Sequence, residues 1–322
     1  MRGLATKNKS SILRGIGCLL TVLACMTCRA TGSLDEVLSC LETNGVLVDR
    51  SQAVRSGLEG ILKSIDSGAF LGEGAGLGGE INGITGSTQT VQAVELWPED
   101  IAYLKIQGLR KGGGAEILSR LQALNNKAGI ILDLRGASGD DLNTVSLLAG
   151  LVYRKQEPLY ILTDNRGHPL STNVAETVTS IRAPLMVLVD GRTRGAAEAL
   201  AALWRGRPGI MLIGSMTHGE ARFRDVMTLP DGLTITLATR KLVPLHGQSY
   251  DGCGIKPDVN VERLASNTGN EILFNTNRPN RVLSAKSERD RDLMRRVDGD
   301  TVLQRATDIL LGLRTLGGYG QQ

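Results

Sequence analysis

The sequence predicts an α/β fold whose core is a mixed, partly parallel sheet, with helical segments before and after it. Three observations point there. Short apolar runs alternate with amphipathic helical stretches from Ile101 to Ile213, the pattern of βαβ units in which crossover helices join parallel strands. The chain has 322 residues and is 41% hydrophobic, enough to bury one large α/β domain or two of ordinary size. Its 40 glycines follow no collagen-like period, and neither heptads nor a longer internal repeat occurs.

Residues 1–30 read as a leader. A basic stretch ends at Arg14, an apolar run covers Ile16 to Met26, and small residues stand at Ala24 and Ala30, which is a secretory signal pattern. Val22-Leu23-Ala24-Cys25 is similar to a bacterial lipoprotein box, in which the cysteine becomes the lipidated N-terminus. Lipidation of Cys25 and simple cleavage near Ala30 both stand as readings. No later stretch is long and apolar enough to span a bilayer. The expected location is outside the cytoplasm: bacterial periplasm, outer-membrane lipoprotein or secreted, with membrane attachment only through Cys25.

The leader also distorts the charge balance. Five of the 37 basic residues precede the first acid, leaving 32 against 33 acids in the remainder. A chain so near neutrality lacks the clustered positive charge that binds phosphates, so nucleic acid is not an expected partner. Cys18, Cys25 and Cys28 fall in the leader. Cys40 and Cys253 are left for the folded part, where pairing is permitted by an oxidising compartment and two isolated buried thiols are an equal reading.

Residues 34–67 form an expected helical segment, with Leu34, Val37, Leu38 and Leu41 on one face and Val54, Leu58, Ile61, Leu62 and Ile65 on another after Asn44-Gly45. A glycine-rich linker is expected over 68–95, since eight glycines lie between Gly68 and Gly86 and glycine loses much backbone freedom on ordering. No lysine follows at P-loop spacing.

The core is expected over 96–264. Ile101–Ile106 reads as a strand, followed by a helix carrying Ile117, Leu118, Leu121 and Leu124, and then a short apolar strand over Gly129–Gly136 that ends in charge. Asp140 or Asp141 caps a helix bearing Leu142, Val145, Leu148 and Leu151. Leu185–Val189 is a buried strand, Ala196–Trp204 an alanine-rich helix and Ile210–Ile213 a further strand. Asp231-Gly232 joins Val226–Leu229 to the alternating Leu233–Ala238 as a hairpin. An extension over 265–322 ends in an amphipathic helix carrying Val302, Ala306, Ile309, Leu310 and Leu313.

Sites in such sheets are built at strand ends, here the loops Arg135–Asp141, Asp190–Glu198 and Gly214–Glu220. Ile131-Leu132-Asp133-Leu134-Arg135-Gly136 with Gly139, Leu185–Asp190 leading to Ala196-Ala197-Glu198, Gly214–Gly219, and Gly252-Cys253-Gly254-Ile255-Lys256-Pro257-Asp258-Val259 stand in an order that resembles the carboxyl-terminal processing (tail-specific) serine proteases. The resemblance runs from about Ile101 to Leu264, half the chain. It implies a core of the ClpP/crotonase-like type and a serine nucleophile served by a lysine base, which burial must keep neutral. It implies no cofactor.

Carried onto this chain, the nucleophile position is Gly195 and the base position, 25 residues on, is Glu220. Neither has the required side chain. The oxyanion-binding amides implied by the resemblance fall at Gly139 and Ala196, with Asp140 in place of a second glycine. Asp133 and Arg135 are expected to be structural, pairing with each other or with neighbours at a strand end, as exposed ion pairs commonly do. Thr193, His218 and Glu220 form an alternative nucleophile, base and orienting carboxylate on converging loops; on an extended loop His218 and Glu220 point to one side. Three histidines without clustered Cys, Asp or Glu give no metal-ligand spacing.

The family also implies a PDZ module that binds peptide C-termini by strand addition, and only about thirty residues, many of them glycine, separate Asp66 from Leu96. The expectation is therefore a non-catalytic, exported relative whose degenerate cleft binds an extended peptide or a protein partner. An active serine- or threonine-type endopeptidase and a structural envelope subunit are the alternatives.

Overall fold

The computed structural model describes residues 33–73, 90–176, 180–230, 232–261 and 288–317. The expected leader with Cys25, most of the glycine-rich stretch, and Asp231 of the hairpin lie outside them. The chain divides into two compact units, one containing residues 1–75 and 228–235 and the other 76–227 and 236–322.

In the first unit, helix α1 (Leu34–Thr43) starts with a capping box. Ser33 Oγ accepts from the Glu36 N–H, and a Glu36 carboxylate oxygen accepts from the Ser33 N–H, pairing two amides that a helix start leaves orphaned. Helix α2 (Arg50–Ile65) is capped by Asp49 and tied to α1 by Arg50, whose Nε donates to Glu42 at 2.8 Å. The amphipathic pattern expected here is present but mostly uncovered: among its residues only Leu38 and Leu62 are buried, while Leu34, Val37, Leu41, Leu58, Ile61 and Ile65 are exposed. Strand β1 (Phe70–Glu73) follows, inside the stretch expected as linker.

The second unit is built on a six-stranded sheet. It begins earlier than the expected Leu96, at β2 (Val91–Trp97), which runs antiparallel to β3 (Ile101–Ile106). Strand β4 (Gly108–Leu109) and helix α3 (Gly114–Ala123) precede β5 (Gly129–Asp133). Strand β6 (Ser138–Gly139) pairs with β4, and helix α4 (Leu142–Ala149) takes Asp141, not Asp140, as its cap. Two strands absent from the sequence reading follow, β7 (Pro158–Thr163) and β8 (Pro169–Val174). Strand β9 (Leu185–Val189), helix α5 (Gly195–Trp204) and strand β10 (Ile210–Gly214) come next. The hairpin strands β11 (Arg222–Thr228) and β12 (Leu233–Pro244) are both longer than expected, and β13 (Val259–Asn260) is short. Helices α6 (Glu288–Asp298) and α7 (Thr301–Thr315) end the described chain.

The main sheet has the order β13-β10-β9-β5-β3-β2, parallel throughout except at β2. Every residue of β5 and β9 is buried, as a parallel strand covered on both faces requires. One face packs against α3, α4 and α5 through Leu104, Leu132, Val187 and Leu200. The other face, with Ile101, Tyr103, Ile131 and Leu188, is covered by Val297, Leu303, Ala306 and Leu310 of α6 and α7. Arg296 reinforces this cover, lying over the stacked rings of Trp97 and Tyr103 and pairing with Glu95. Within the second unit a further sheet forms, β12 running antiparallel to β7 and β7 antiparallel to β8, with β11 beside β12. No helix among the described residues is long and apolar enough to cross a membrane.

Candidate functional site

The three loops singled out in the sequence are stitched together by hydrogen bonds. After β5, Asp133 is fully buried and takes Arg135 on both oxygens as well as the Tyr103 hydroxyl at 2.8 Å. The expected Asp133–Arg135 pair is therefore interior rather than exposed, and Arg135 also reaches Asp300 at 2.6 Å. The Gly136 N–H donates to Asp190 at 2.9 Å, and the Arg194 N–H donates to the Ala137 carbonyl at 3.1 Å. Burial works to raise the Asp190 carboxyl, but the Gly136 and Arg192 amides and the Arg192 guanidinium outweigh it and hold the group below the usual aspartate range.

Glu198 locks the third loop. It is the single charged residue of the otherwise apolar helix α5 and is fully buried. Its carboxylate accepts the Thr217 hydroxyl, the Gly219 N–H at 2.6 Å and the Glu220 N–H at 2.8 Å. Burial pushes this carboxyl above the usual glutamate range, and the three donors offset part of that rise. A lone acid in an alanine-rich helix was the signal for this role, since a buried charge survives only when hydrogen-bonded.

Gly195 and Glu220, the two positions carried over by the resemblance, lie on one cleft. Both line a narrow cleft with Ser138, Gly139, Asp140, Arg194 and Phe223. The cleft holds about 20 Å³ of water-accessible space, room for little more than one water molecule. Gly195 is the first residue of α5 and has φ of 59°, and a Cβ built there would stand 2.3 Å from the Gly139 carbonyl oxygen. Glu220 is mostly buried and paired with Arg224 at 2.8 Å. Ala196 is buried at the start of a helix that has no side-chain cap.

The alternative set does not assemble. Thr193 is fully buried, with its hydroxyl donating to the Leu134 carbonyl at 2.9 Å and accepting the Asp190 N–H at 3.0 Å. His218 is exposed, and its link to Thr193 is between backbones, N–H to carbonyl at 3.1 Å. Glu220 turns to Arg224 instead of His218, because the guanidinium is a permanent charge within reach on β11. Cys40 and Cys253 are both free and exposed, not buried. Among the described residues, no three His, Cys, Asp or Glu side chains gather as a metal site would require.

A family model for peptidase family S41 matches residues 100–261, half of the chain. The chain belongs to peptidase family S41. Among similar S41 proteins, the carboxy-terminal processing protease CtpA of Bacillus subtilis is 28% identical over 192 residues, covering 58% of this chain and 41% of that protein. The carboxyl-terminal-processing protease of a Picosynechococcus species is 28% identical over 163 residues, covering 50% of this chain and 39% of the relative. The chain thus spans about two fifths of the length of these relatives. Among solved structures, the photosystem II D1 C-terminal processing protease superposes with a TM-score of 0.46 at 20% identity, over 60% of this chain and 48% of the other. A lipoprotein from Streptococcus agalactiae gives 0.49 at 17% identity, over 82% and 96%.

Proposed function

We propose that this S41 chain does not cleave peptides and that its core serves to hold an extended peptide or a protein partner. The observation that carries the reading is the closeness of Gly139 to Gly195. The position where the family resemblance puts a nucleophile has no side chain, and a carbonyl oxygen stands where one would begin. The base position is a carboxylate already neutralised by Arg224. Its oxygen is held at 2.8 Å by the Arg224 guanidinium, so it is not presented to a hydroxyl at position 195. Thr193 offers no substitute, since its hydroxyl is buried, donates to the Leu134 carbonyl after β5 and accepts the Asp190 N–H. The leader pattern of residues 1–30 supports an exported protein, with Cys25 as a lipidation candidate.

The test is incubation of the purified protein with a mixed peptide library, read by mass spectrometry, beside labelling with a serine-directed phosphonate and a binding titration with the same peptides. Saturable binding with neither new peptide ends nor label is the expected result. Cleavage or covalent label overturns it in favour of a working peptidase; absence of both cleavage and binding overturns it in favour of a structural subunit.

A further inference from the structure

On the α7 side of the main sheet, the carboxyl ends of the parallel strands open into a second cavity of about 450 Å³. Its polar wall comes from Lys105 at the end of β3, Arg135 after β5, Asp190 and Arg192 after β9, and Ser215 after β10. Val189, Val261 and Val302 supply an apolar wall, and Asp300 and Thr301 close one end at the start of α7. This is the place in an open parallel sheet where ligands bind, because several strand ends deliver side chains to one crevice.

The charges are not evenly matched. Three cations and two carboxylates line the cavity, and two of the cations are committed. Arg135 is held by Asp133 and Asp300, and Arg192 by Asp190 at 3.3 Å. Asp300 is fully used as well, accepting the Val302 and Leu303 amides on its other oxygen. Lys105 is the exception. It stands directly across from Asp133 in the β3–β5 register, but Asp133 gives its oxygens to Arg135 and Tyr103. Lys105 therefore makes no ion pair among the described residues, although it is half-buried. The Ser215 hydroxyl, also half-buried, has no hydrogen bond among them either.

We infer that this cavity binds an aliphatic carboxylate, with Lys105 as its charge partner, Ser215 as a hydrogen-bond donor and the three valines around its apolar group. A half-buried ammonium without a partner gains from an anion because the local dielectric is lower than in water. A carboxylate fits better than a phosphate because the described residues of the wall offer one unpaired cation and no cluster of them, and because Val189, Val261 and Val302 provide no side-chain polar contacts for further oxygens. The site is separate from the Gly195 cleft and does not depend on whether that cleft is catalytic.

The ligand has two sources, a small branched-chain acid or the free C-terminus of a peptide, and one experiment separates them. The purified full chain is titrated by calorimetry with 3-methylbutanoate, with N-acetyl-alanyl-valine and with its C-terminal amide. The acids are expected to bind saturably and the amide about tenfold more weakly or worse, the loss that follows from removing one charge-assisted hydrogen bond. Equal affinity of the two acids makes the small molecule sufficient; a peptide acid binding at least about tenfold more tightly assigns the site to a chain end. Lys105→Met is expected to lose about tenfold in affinity, while Lys105→Arg keeps binding and reports that the fold survives substitution. Equal binding of acid and amide, unchanged binding by Lys105→Met in a folded protein, or no saturable binding of either acid overturns the inference.

Discussion

The loop from Asp190 to Gly195 borders two openings, and they differ in nearly every respect. On the α5 side lies the cleft of Gly195 and Glu220, with about 20 Å³ open to water; on the α7 side lies the cavity of Lys105 and Ser215, with about 450 Å³. In the cleft, the two family positions are spent: Gly195 abuts a carbonyl and Glu220 has its arginine. In the cavity, an ammonium and a hydroxyl have no partner among the described residues. A place in a family motif therefore does not measure what a site can do. Free groups and free volume do, because binding has to exchange water for something better than the protein already provides.

The sharpest way to break this contrast is to rebuild the cleft. Gly195→Ser puts a side chain on a left-handed residue 2.3 Å from a backbone oxygen, and the combined strain and overlap should cost about 3 kcal/mol of stability. Gly195→Ser with Glu220→Lys should therefore show lowered thermal stability and no peptide cleavage. Activity in that double variant would mean that the Gly139 carbonyl moves aside readily and that the cleft opens to peptides.

Next in size is Glu198→Gln. The amide keeps acceptance from Thr217 and Gly219 but turns an NH2 group towards the Glu220 N–H, a buried donor facing a donor, which should cost about 2 kcal/mol in chemical denaturation. Its pH dependence has a defined sign. Burial raises the Glu198 carboxyl in the folded protein, so its contribution is full below the unfolded value and is lost as pH rises through the folded one. The stability gap between the parent and Glu198→Gln should accordingly narrow from acid towards neutral pH. A constant gap would show that the carboxyl is not raised.

Glu220→Gln removes one member of a mostly buried pair and should cost about 1 kcal/mol. The smallest stability effect belongs to the cavity: Lys105→Met breaks no ion pair and should stay within about 0.5 kcal/mol of the parent, while losing carboxylate affinity. A large loss of stability there would mean that Lys105 has a structural role and would erase the distinction between the two openings.

Much of the core was legible in the sequence because burial on both faces writes itself as continuous apolar runs. Gly129–Leu132 and Leu185–Val189 are such runs, and both are central parallel strands. Strand β8 is exposed or half-exposed along its length, so no apolar period marks it, whereas β7 carries a short buried run at Leu159, Tyr160 and Leu162 behind a proline, the kind of run that periodicity alone does not assign. The helices before residue 66 were found by their period, yet a period names a face without naming what covers it. At the site, the family resemblance picked out Gly195 and Glu220, which line one cleft. What spacing does not carry is distance: the approach of Gly139 to Gly195, the reach of Arg224 to Glu220 and the commitment of Asp133 away from Lys105 are properties of folded backbones.

Gly129 opens β5 on the face covered by α7, where a Cβ would stand 2.5 Å from a Leu310 methyl group. Helix and strand meet there across most of the chain. During synthesis the sheet is complete in sequence by Asn260, while the helix that rests on it is not made until residues 301–315. At translation rates of about 5–20 residues per second, the face of Ile101, Ile131 and Leu188 lacks this cover for a few seconds on the ribosome. The nascent chain thus passes through a stage with an apolar sheet face to be shielded, and holdase chaperones should be retained on it longest when ribosomes are stalled between Val261 and Thr301.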